Sequence, residues 1–251
     1  MSFSLTDVLI VMPAFNEAEV IASVVTEVRA ALPEASVLVV NDGSHDATTA
    51  EAEAAGARVL ELPFNLGVGG AMRLGFRYAQ LNGFPVAVQL DSDGQHNPAD
   101  VPQLVALLAG GALGSGSEPA GLDVVIGARF AGEGDYEVRG PRKWAMKFLS
   151  GTLSSSLGVQ LTDTTSGFKA HGPRAIELFA RDYPAEYLGD TIESLVIGHR
   201  GGLEFGQVGV TMRERAGGVP SHNPLKSAIY LGRAFLALTV AFLRPKADLT
   251  S

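Results

Sequence analysis

Two aspartates stand one residue apart directly after an apolar run. Asp91 and Asp93 follow residues 86–90 (VAVQL), which have the composition of a buried strand. Carboxylates at that spacing repel each other, and a divalent cation between them would relieve the repulsion. Because oxygen ligands without cysteine favour hard ions, we expect Mg²⁺ or Mn²⁺ rather than zinc, with Gln95 and His96 in the first or second ligand shell. A simple turn at Asp93 is the alternative for a bare Asp-x-Asp pair.

Four further polar clusters also follow apolar runs. They are PAFNE after the first run, NDGSHD after the second, NLGVGG after the third and GARF after the fifth. In an open parallel sheet, ligands bind outside the carboxyl ends of the strands, so these five ends would converge on one crevice. Turn chemistry accounts for any one cluster, but it does not account for all five together.

Several residues of these clusters have the chemistry of a nucleotide site. Asp42 can accept two N–H bonds from a nucleobase edge, with a turn before Gly43 as the alternative. Glu17 can accept a bond from a ribose hydroxyl, or it can complement the dipole of its own helix. Asn65 and the glycines of 67–70 permit close backbone approach to a ligand at a helix N-terminus. The chain has neither a G-x-x-x-x-G-K-[ST] loop nor a G-x-G-x-x-G spacing.

Hydrophobic periodicity predicts the elements that position these clusters. Strands are predicted at 8–12, 36–40, 58–62, 86–90, 123–127 and 203–215. Helices are predicted at 21–32, from an N-cap at Asp46 to Gly56, and at 66–81, 98–108, 144–157, 174–179, 191–199 and 225–243, with a Gly/Ser-rich loop at 110–121. Strands separated by helices imply crossover connections, so we expect an α/β fold with a mainly parallel sheet flanked by helices.

The overall composition excludes several classes of function. The chain has 251 residues, of which 46% are hydrophobic and 18% charged, enough for one substantial core. A net charge of −8 argues against a nucleic-acid partner, because the phosphate backbone selects basic surfaces. The chain has no cysteine, and it shows neither a secretory leader nor about 18 uninterrupted apolar residues. These features predict a cytoplasmic protein.

The C-terminal helix at 225–243 has three alternative partners. It is very apolar, yet Arg233 interrupts it and it is too short to span a bilayer comfortably. It could lie on the inner face of a membrane through 225–244, where its basic residues would meet anionic head groups. It could equally pack on the sheet or pair with a second subunit in a homodimer.

Six motifs carry a resemblance to a known family. In chain order they are VMPAFNE, VVNDGSHD, NLGVGGAMRLGF, LDSDGQHNP, GARF and DTTSGFK. Over about residues 8 to 215, the chain resembles glycosyltransferase family 2, specifically its dolichyl-phosphate mannosyltransferase and polyprenyl-phosphate glycosyltransferase branch. The resemblance implies a nucleotide-sugar donor, a divalent metal and a single GT-A domain at 1–224. The nucleotide-sugar half would end at about 128, the acceptor half would occupy 129–224, and an amphipathic helix and tail would follow at 225–251.

The resemblance also implies roles residue by residue. The nucleotide-sugar site would comprise Pro13, Ala14, Asn16, Glu17, Asp42, Ser44, Asn65, Gly70, Asp91 and Ser92. The metal ligands would be Asp91, Asp93 and Gln95. The acceptor phosphate would meet Arg129, Arg142, Arg213 and Arg215, and the catalytic residues would be Asp91, Asp93, Arg129 and Arg142. For a hydroxyl acceptor, Asp190 or Glu193 would be the base, with a capping box as the alternative reading of that pair.

The chain departs from the family pattern at three places. Phe15 stands where tyrosine is common, Met146 replaces a serine of the mannosyltransferases, and GGVPSH replaces a G-x-S-K ending. The Q-x-x-R-W motif of processive synthases is missing, which argues against a polymerase. The expected reaction is metal-dependent, inverting transfer of one sugar from a GDP- or UDP-sugar to a polyprenyl or dolichyl monophosphate. A hydroxyl acceptor, a nucleotidyltransferase and a non-catalytic nucleotide-sugar-binding module are the alternatives.

Overall fold

The computed structural model describes most of the first half of the chain and part of the second. The described residues are 2–110, 121–128, 163, 166–184 and 190–213, without the side chains of 190–192. The predicted helices at 144–157 and 225–243 lie outside them, as do Arg129, Arg142 and Arg215.

A seven-stranded sheet forms the centre of the described residues. Its strands are β1 (Val8–Ala14), β2 (Ser36–Asn41), β3 (Arg58–Glu61), β4 (Val86–Gln89), β5 (Val124–Ala128), β6 (Lys169–His171) and β7 (Phe205–Gly209). The order across the sheet is β3-β2-β1-β4-β6-β5-β7. Only β6 runs antiparallel to its neighbours within this sheet. The predicted α/β class and mainly parallel sheet are therefore confirmed.

Helices cover both faces of the sheet. They are α1 (Ile21–Ala31), α2 (Thr48–Ala54), α3 (Gly67–Leu81), α4 (Val101–Leu108), α5 (Pro173–Asp182) and α6 (Asp190–Arg200), with short 3₁₀ turns at Leu5–Asp7 and Pro98–Asp100. All seven residues of β1 are buried, and they alternate between two cores. Ile10 belongs to the core that includes residues of α1 and α4, whereas Leu9 and Val11 belong to the core that includes residues of α3, α5 and α6. Burial on both faces explains why β1 is a continuous apolar run in the sequence.

Strand β6 is the element that the sequence analysis missed. It has only three residues, and both Lys169 and His171 are buried in it. Three residues, Lys-Ala-His, are too few for an apolar run or a polar–apolar alternation to stand out in the sequence. Its hydrogen-bonding groups pair instead with β4 on one side and β5 on the other, in antiparallel register. This pairing joins segments far apart in the chain, which local periodicity does not reveal.

Two predicted boundaries were wrong. The predicted strand at 203–215 is shorter, because β7 spans Phe205–Gly209. Between Gly209 and Arg213, where the described residues end, there is only an isolated bridge between His96 and Met212. The N-cap residue of α2 is Ala47 rather than Asp46. The carboxylate of Asp46 nevertheless accepts the Thr48 N–H at 3.0 Å, so it stabilises the first turn as an N-cap would.

The strand order creates a topological switch point. From β1 the chain moves outward through β2 and β3, and β4 then pairs with the other edge of β1. Ligands of open α/β sheets bind at the carboxyl ends of strands beside such a reversal. In the part of the chain that the structure describes, no helix has the length and apolar character needed to cross a membrane.

Candidate active site

Loops that leave the carboxyl ends of β1, β2 and β4 lie at this switch point. The Asp42 N–H donates to the Ala14 carbonyl at 2.8 Å, which joins the loop after β2 to the end of β1. The Leu90 N–H donates to the Val11 carbonyl at 3.0 Å, which brings the start of the Asp91 loop to the other edge of β1. The structure therefore brings the predicted nucleotide and metal residues to one edge of the sheet.

Asp42 caps the N-terminus of α3. Its Oδ1 accepts the Leu66 N–H at 2.7 Å and its Oδ2 accepts the Gly67 N–H at 2.8 Å. The residue is only 4% exposed, and burial raises the carboxyl pKa above its usual range although both hydrogen bonds oppose that shift. Each carboxylate oxygen has a second acceptor position, so capping is compatible with the predicted nucleobase contact. The sequence analysis did not foresee the cap, because its donors lie more than twenty residues further along the chain.

Asn16 and Ser44 join the loops after β1 and β2. The Asn16 N–H donates to Ser44 Oγ at 2.8 Å, and Asn16 Oδ1 accepts the His45 N–H at 2.9 Å. Asn16 has a φ of 56°, a left-handed conformation that asparagine tolerates better than most residues. Phe15 precedes it and is 40% exposed. Two predicted nucleotide-site residues thus hold each other in place.

Two further predicted nucleotide-site residues, Asn65 and Gly70, make contacts at the start of α3 that account for their residue types. Asn65 Oδ1 accepts the Gly67 N–H at 3.1 Å, so its side chain supports the turn into α3. A Cβ on Gly70 would lie 2.4 Å from the Leu66 Cβ. Gly70 therefore makes room for the Leu66 side chain, whereas the sequence analysis attributed this glycine to a close approach of ligand.

Glu17 lies at the entrance to α1. Its N–H donates to Thr48 Oγ1 at 2.9 Å, and its carbonyl accepts the N–H groups of Val20 and Ile21. These bonds fix the backbone of Glu17 at the crevice. The contact of its carboxylate with a ribose stays a prediction.

The two aspartates of the acidic pair have different environments. The Asp91 side chain is 39% exposed, whereas Asp93 is buried to 5% exposure. Asp93 Oδ1 accepts the Gln95 N–H at 3.0 Å in a turn that continues through Gly94 at a φ of 76°. The turn that the sequence left as an alternative is therefore present, and it holds one carboxylate oxygen of Asp93.

The donor chemistry of this loop fits a hard divalent cation. Asp91, Asp93 and Gln95 offer only carboxylate and amide oxygens, as Mg²⁺ and Mn²⁺ prefer. Among the described residues, no group of three or more His, Asp, Glu or Cys side chains has the arrangement of a complete metal site. A loop with two carboxylates suits a cation that takes its other ligands from bound phosphates.

Three of the residues predicted for the acceptor side, Arg213, Asp190 and Glu193, lie in the described part of the chain. Arg213 lies beside the acidic loop, where its guanidinium donates to Glu27 and, at 2.8 Å, to Asn97 Oδ1. These partners hold the Arg213 side chain beside the acidic loop, and its contact with an acceptor phosphate stays a prediction. Asp190 is the first residue of α6, with its side chain outside the described set, and Glu193 lies one turn further on.

Comparison with known proteins identifies the family. Residues 9–171 match the family described as glycosyl transferase family 2. The undecaprenyl-phosphate mannosyltransferase of Micrococcus luteus is 35% identical over 183 residues, which cover 69% of this chain and 70% of that protein. The polyprenol monophosphomannose synthase of Mycolicibacterium smegmatis is 30% identical over 176 residues, which cover 67% of this chain and 63% of that protein.

Solved structures show the same fold. One is glucosyl-3-phosphoglycerate synthase from Mycobacterium tuberculosis, crystallised with Mn²⁺, uridine diphosphate and phosphoglyceric acid. It superposes with a TM-score of 0.69 and 22% identity, covering 96% of this chain and 80% of that chain. This similarity confirms the predicted GT-A fold. The family match over residues 9–171 and the two curated relatives show that this chain belongs to glycosyl transferase family 2, as its six motifs predicted.

Proposed function

We propose that this protein transfers one sugar from a nucleotide diphosphate sugar to a polyprenyl or dolichyl monophosphate, with inversion at the anomeric carbon and with Mg²⁺ or Mn²⁺. The observation that carries the donor half is the convergence of Asp42, Asn16 and the acidic pair Asp91/Asp93 at one switch point of the sheet. GDP- and UDP-sugars both remain candidate donors.

Each residue of the crevice has a defined task in this proposal. Asp42, Asn16 and Ser44 form the floor on which the nucleoside lies. Asn16 and Ser44 are fixed by the bond between them, and Asp42 is fixed by its bonds to the Leu66 and Gly67 N–H groups. Asp91 and Asp93 hold the cation together with Gln95. A cation bound there supplies Lewis-acid stabilisation of the charge that grows on the departing diphosphate. Preorganised loops lower the barrier further, because they do not have to reorganise when that charge appears.

The proposed acceptor is an anionic nucleophile. A phosphate monoester has a second pKa near 6, so it is largely dianionic at neutral pH and needs little help from a base. A phosphate oxygen forms a bond to the anomeric carbon, the bond to the diphosphate oxygen breaks on the opposite face, and nucleoside diphosphate leaves. Arginines suit the holding of such an acceptor, which supports the predicted roles of Arg129, Arg142 and Arg215.

The identity of the acceptor is supported by the relatives. Undecaprenyl-phosphate mannosyltransferase and polyprenol monophosphomannose synthase are both named for transfer involving polyprenyl phosphates. A lipid acceptor also agrees with the alternative in which 225–244 lies on the inner face of a membrane. A hydroxyl acceptor would instead require Asp190 or Glu193 as a general base.

The test is replacement of Asp93 by alanine. Sugar transfer from GDP-mannose or UDP-glucose to a short-chain polyprenyl phosphate should fall by about 10²–10³-fold or more, because the cation that stabilises the developing charge loses one of its ligands. Asp182→Ala is the matched control, since Asp182 is exposed at the end of α5. Full transfer by Asp93→Ala, or undiminished wild-type turnover in EDTA, would contradict the metal-dependent mechanism.

The same assay separates the alternatives. Transfer to a glycan hydroxyl but not to a lipid phosphate would replace the acceptor half of the proposal. Pyrophosphate release from a nucleoside triphosphate would indicate a nucleotidyltransferase. Donor binding without transfer or hydrolysis would indicate the non-catalytic module.

A further inference from the structure

His96 contacts Asp91 through both of its ring nitrogens. Its Nδ1 accepts the Asp91 N–H at 3.1 Å, and its Nε2 lies 3.6 Å from Asp91 Oδ2. A neutral imidazole that accepts at Nδ1 carries its proton on Nε2, so the N–H side of the ring is the side near the carboxylate. One ring therefore meets both the backbone and the side chain of Asp91.

The His96 ring is itself held rigidly. It is 5% exposed and stacks on Phe168, with ring centroids 5.1 Å apart and an angle of 21° between the planes. Phe168 is fully buried and in turn packs on Gly127, where a Cβ would lie 2.8 Å from its Cδ1. The backbone of His96 also forms an antiparallel bridge with Met212. The position of the ring beside the Asp91 loop thus depends on how β5 and the segment leading into β6 are packed.

Gly167 approaches the same carboxylate from another element. A Cβ on Gly167 would lie 2.8 Å from Asp91 Oδ1 and 3.0 Å from Oδ2. The carboxylate therefore occupies space that any side chain at position 167 would fill. His96 lies in the same loop as Asp91, and Gly167 lies in the segment that leads into β6. Both restrict the positions that the Asp91 carboxylate can adopt.

We infer that His96 and Gly167 are positioning residues that set the orientation of the Asp91 carboxylate for a divalent cation. This inference rests on the proposed function, in which Asp91 is a metal ligand. Groups that orient a metal ligand change metal affinity by about 10- to 100-fold when they are removed. A role in folding alone would change stability without a matching change in metal affinity.

The experiment measures Mn²⁺ affinity in the full chain with saturating GDP or UDP. Free Mn²⁺ is titrated by its electron paramagnetic resonance signal, and thermal unfolding is recorded for each variant. His96→Phe keeps a ring for Phe168 but loses both nitrogens, so the dissociation constant of Mn²⁺ should rise about 10- to 100-fold. His96→Asn places an amide oxygen near the Nδ1 position and should recover part of that loss.

Gly167→Ala tests the second contact without altering the histidine. Its added methyl should displace the Asp91 carboxylate and weaken Mn²⁺ binding. Gly172→Ala is the matched control, because a Cβ there meets nothing closer than 3.5 Å, and its Mn²⁺ affinity should equal that of the wild type. This pair keeps the inference testable even where His96→Phe fails to fold.

The outcomes distinguish the inference from the function on which it rests. Loss of Mn²⁺ binding in Asp91→Asn with wild-type affinity in His96→Phe and Gly167→Ala would overturn the inference alone. Absence of Mn²⁺ binding by the wild type would overturn both. Weakened binding in the two positioning variants, with partial recovery in His96→Asn, is the expected result.

Discussion

The carboxylates of the crevice differ because their neighbours differ. Asp42 is buried and accepts two backbone N–H bonds from the start of α3, so its charge lies at the positive end of a helix. Asp91 remains partly exposed beside His96 and Gly167. Each acid was a candidate from its position after an apolar run, but only the fold shows what orients it.

A second buried histidine allows a prediction about pH. His171 is 1% exposed, and its Nδ1 lies 3.2 Å from the Ala87 carbonyl. Burial, aided by the charge of Lys169, lowers the pKa of His171 to about 3. Because the unfolded histidine has a pKa of 6.5, only the unfolded state binds this proton between pH 6.5 and about 3. This group therefore lowers the free energy of unfolding as the pH falls through that window, by about 1.4 kcal/mol per pH unit.

Removal of this imidazole should flatten the acid dependence. His171→Leu should lose less stability between pH 6 and pH 4 than the wild type, measured as the free energy of unfolding in urea. His199→Gln is the control, because His199 is exposed and its replacement should leave the slope unchanged. Parallel pH curves for His171→Leu and the wild type would contradict the assignment.

At the scale of elements, glycines determine how closely α3 approaches the sheet. A Cβ on Gly75 would lie 2.4 Å from Val11 Cγ1, and Val11 is fully buried in β1. The helix can therefore lie directly on β1, next to the strand end from which the nucleotide loop departs. Helix propensity alone disfavours glycine at this position, so packing is the reason for it.

Gly75→Ala should lower the free energy of unfolding by about 1–3 kcal/mol, because the added methyl overpacks a rigid core. Val11→Ala removes the obstructing side chain. The double variant should therefore lose less stability than the sum of the two single variants in urea unfolding. Strict additivity would show that contact with Val11 is not what makes Gly75→Ala destabilising.

At the scale of the whole molecule, Arg213 ties the end of the described chain to its beginning. Its guanidinium pairs with Glu27 of α1, 186 residues away. Its backbone N–H donates to the Gln95 carbonyl at 3.0 Å. Both charged side chains are more than 40% exposed, so their pairing contributes only about 0–1 kcal/mol to stability. The contact acts mainly on the geometry of the acidic loop.

Glu27→Ala and Arg213→Ala should therefore impair sugar transfer to a similar extent, and the double variant should be no worse than either. Steady-state kinetics with varied acceptor concentration measures the effect. A rise in the acceptor KM in Arg213→Ala that is absent from Glu27→Ala would instead support the predicted phosphate contact of Arg213.

The sequence by itself determined the family, the α/β class, the location of six of the seven strands of the described sheet, and the clusters at the strand ends. It could do so because buried strands are apolar runs, amphipathic helices have a fixed period, and ligand loops are short motifs. All of these signals are local along the chain.

Only the tertiary structure decided how these pieces hold one another. The insertion of β6 between β4 and β5, the cap of α3 by Asp42 and the pairing of Arg213 with Glu27 join segments that are distant in the chain. His96 and Asp91 are near each other in sequence. The position of the His96 ring nevertheless depends on its stacking against Phe168, which directly precedes β6. Such contacts arise from the packing of whole elements, and no periodicity or spacing within a single segment records them.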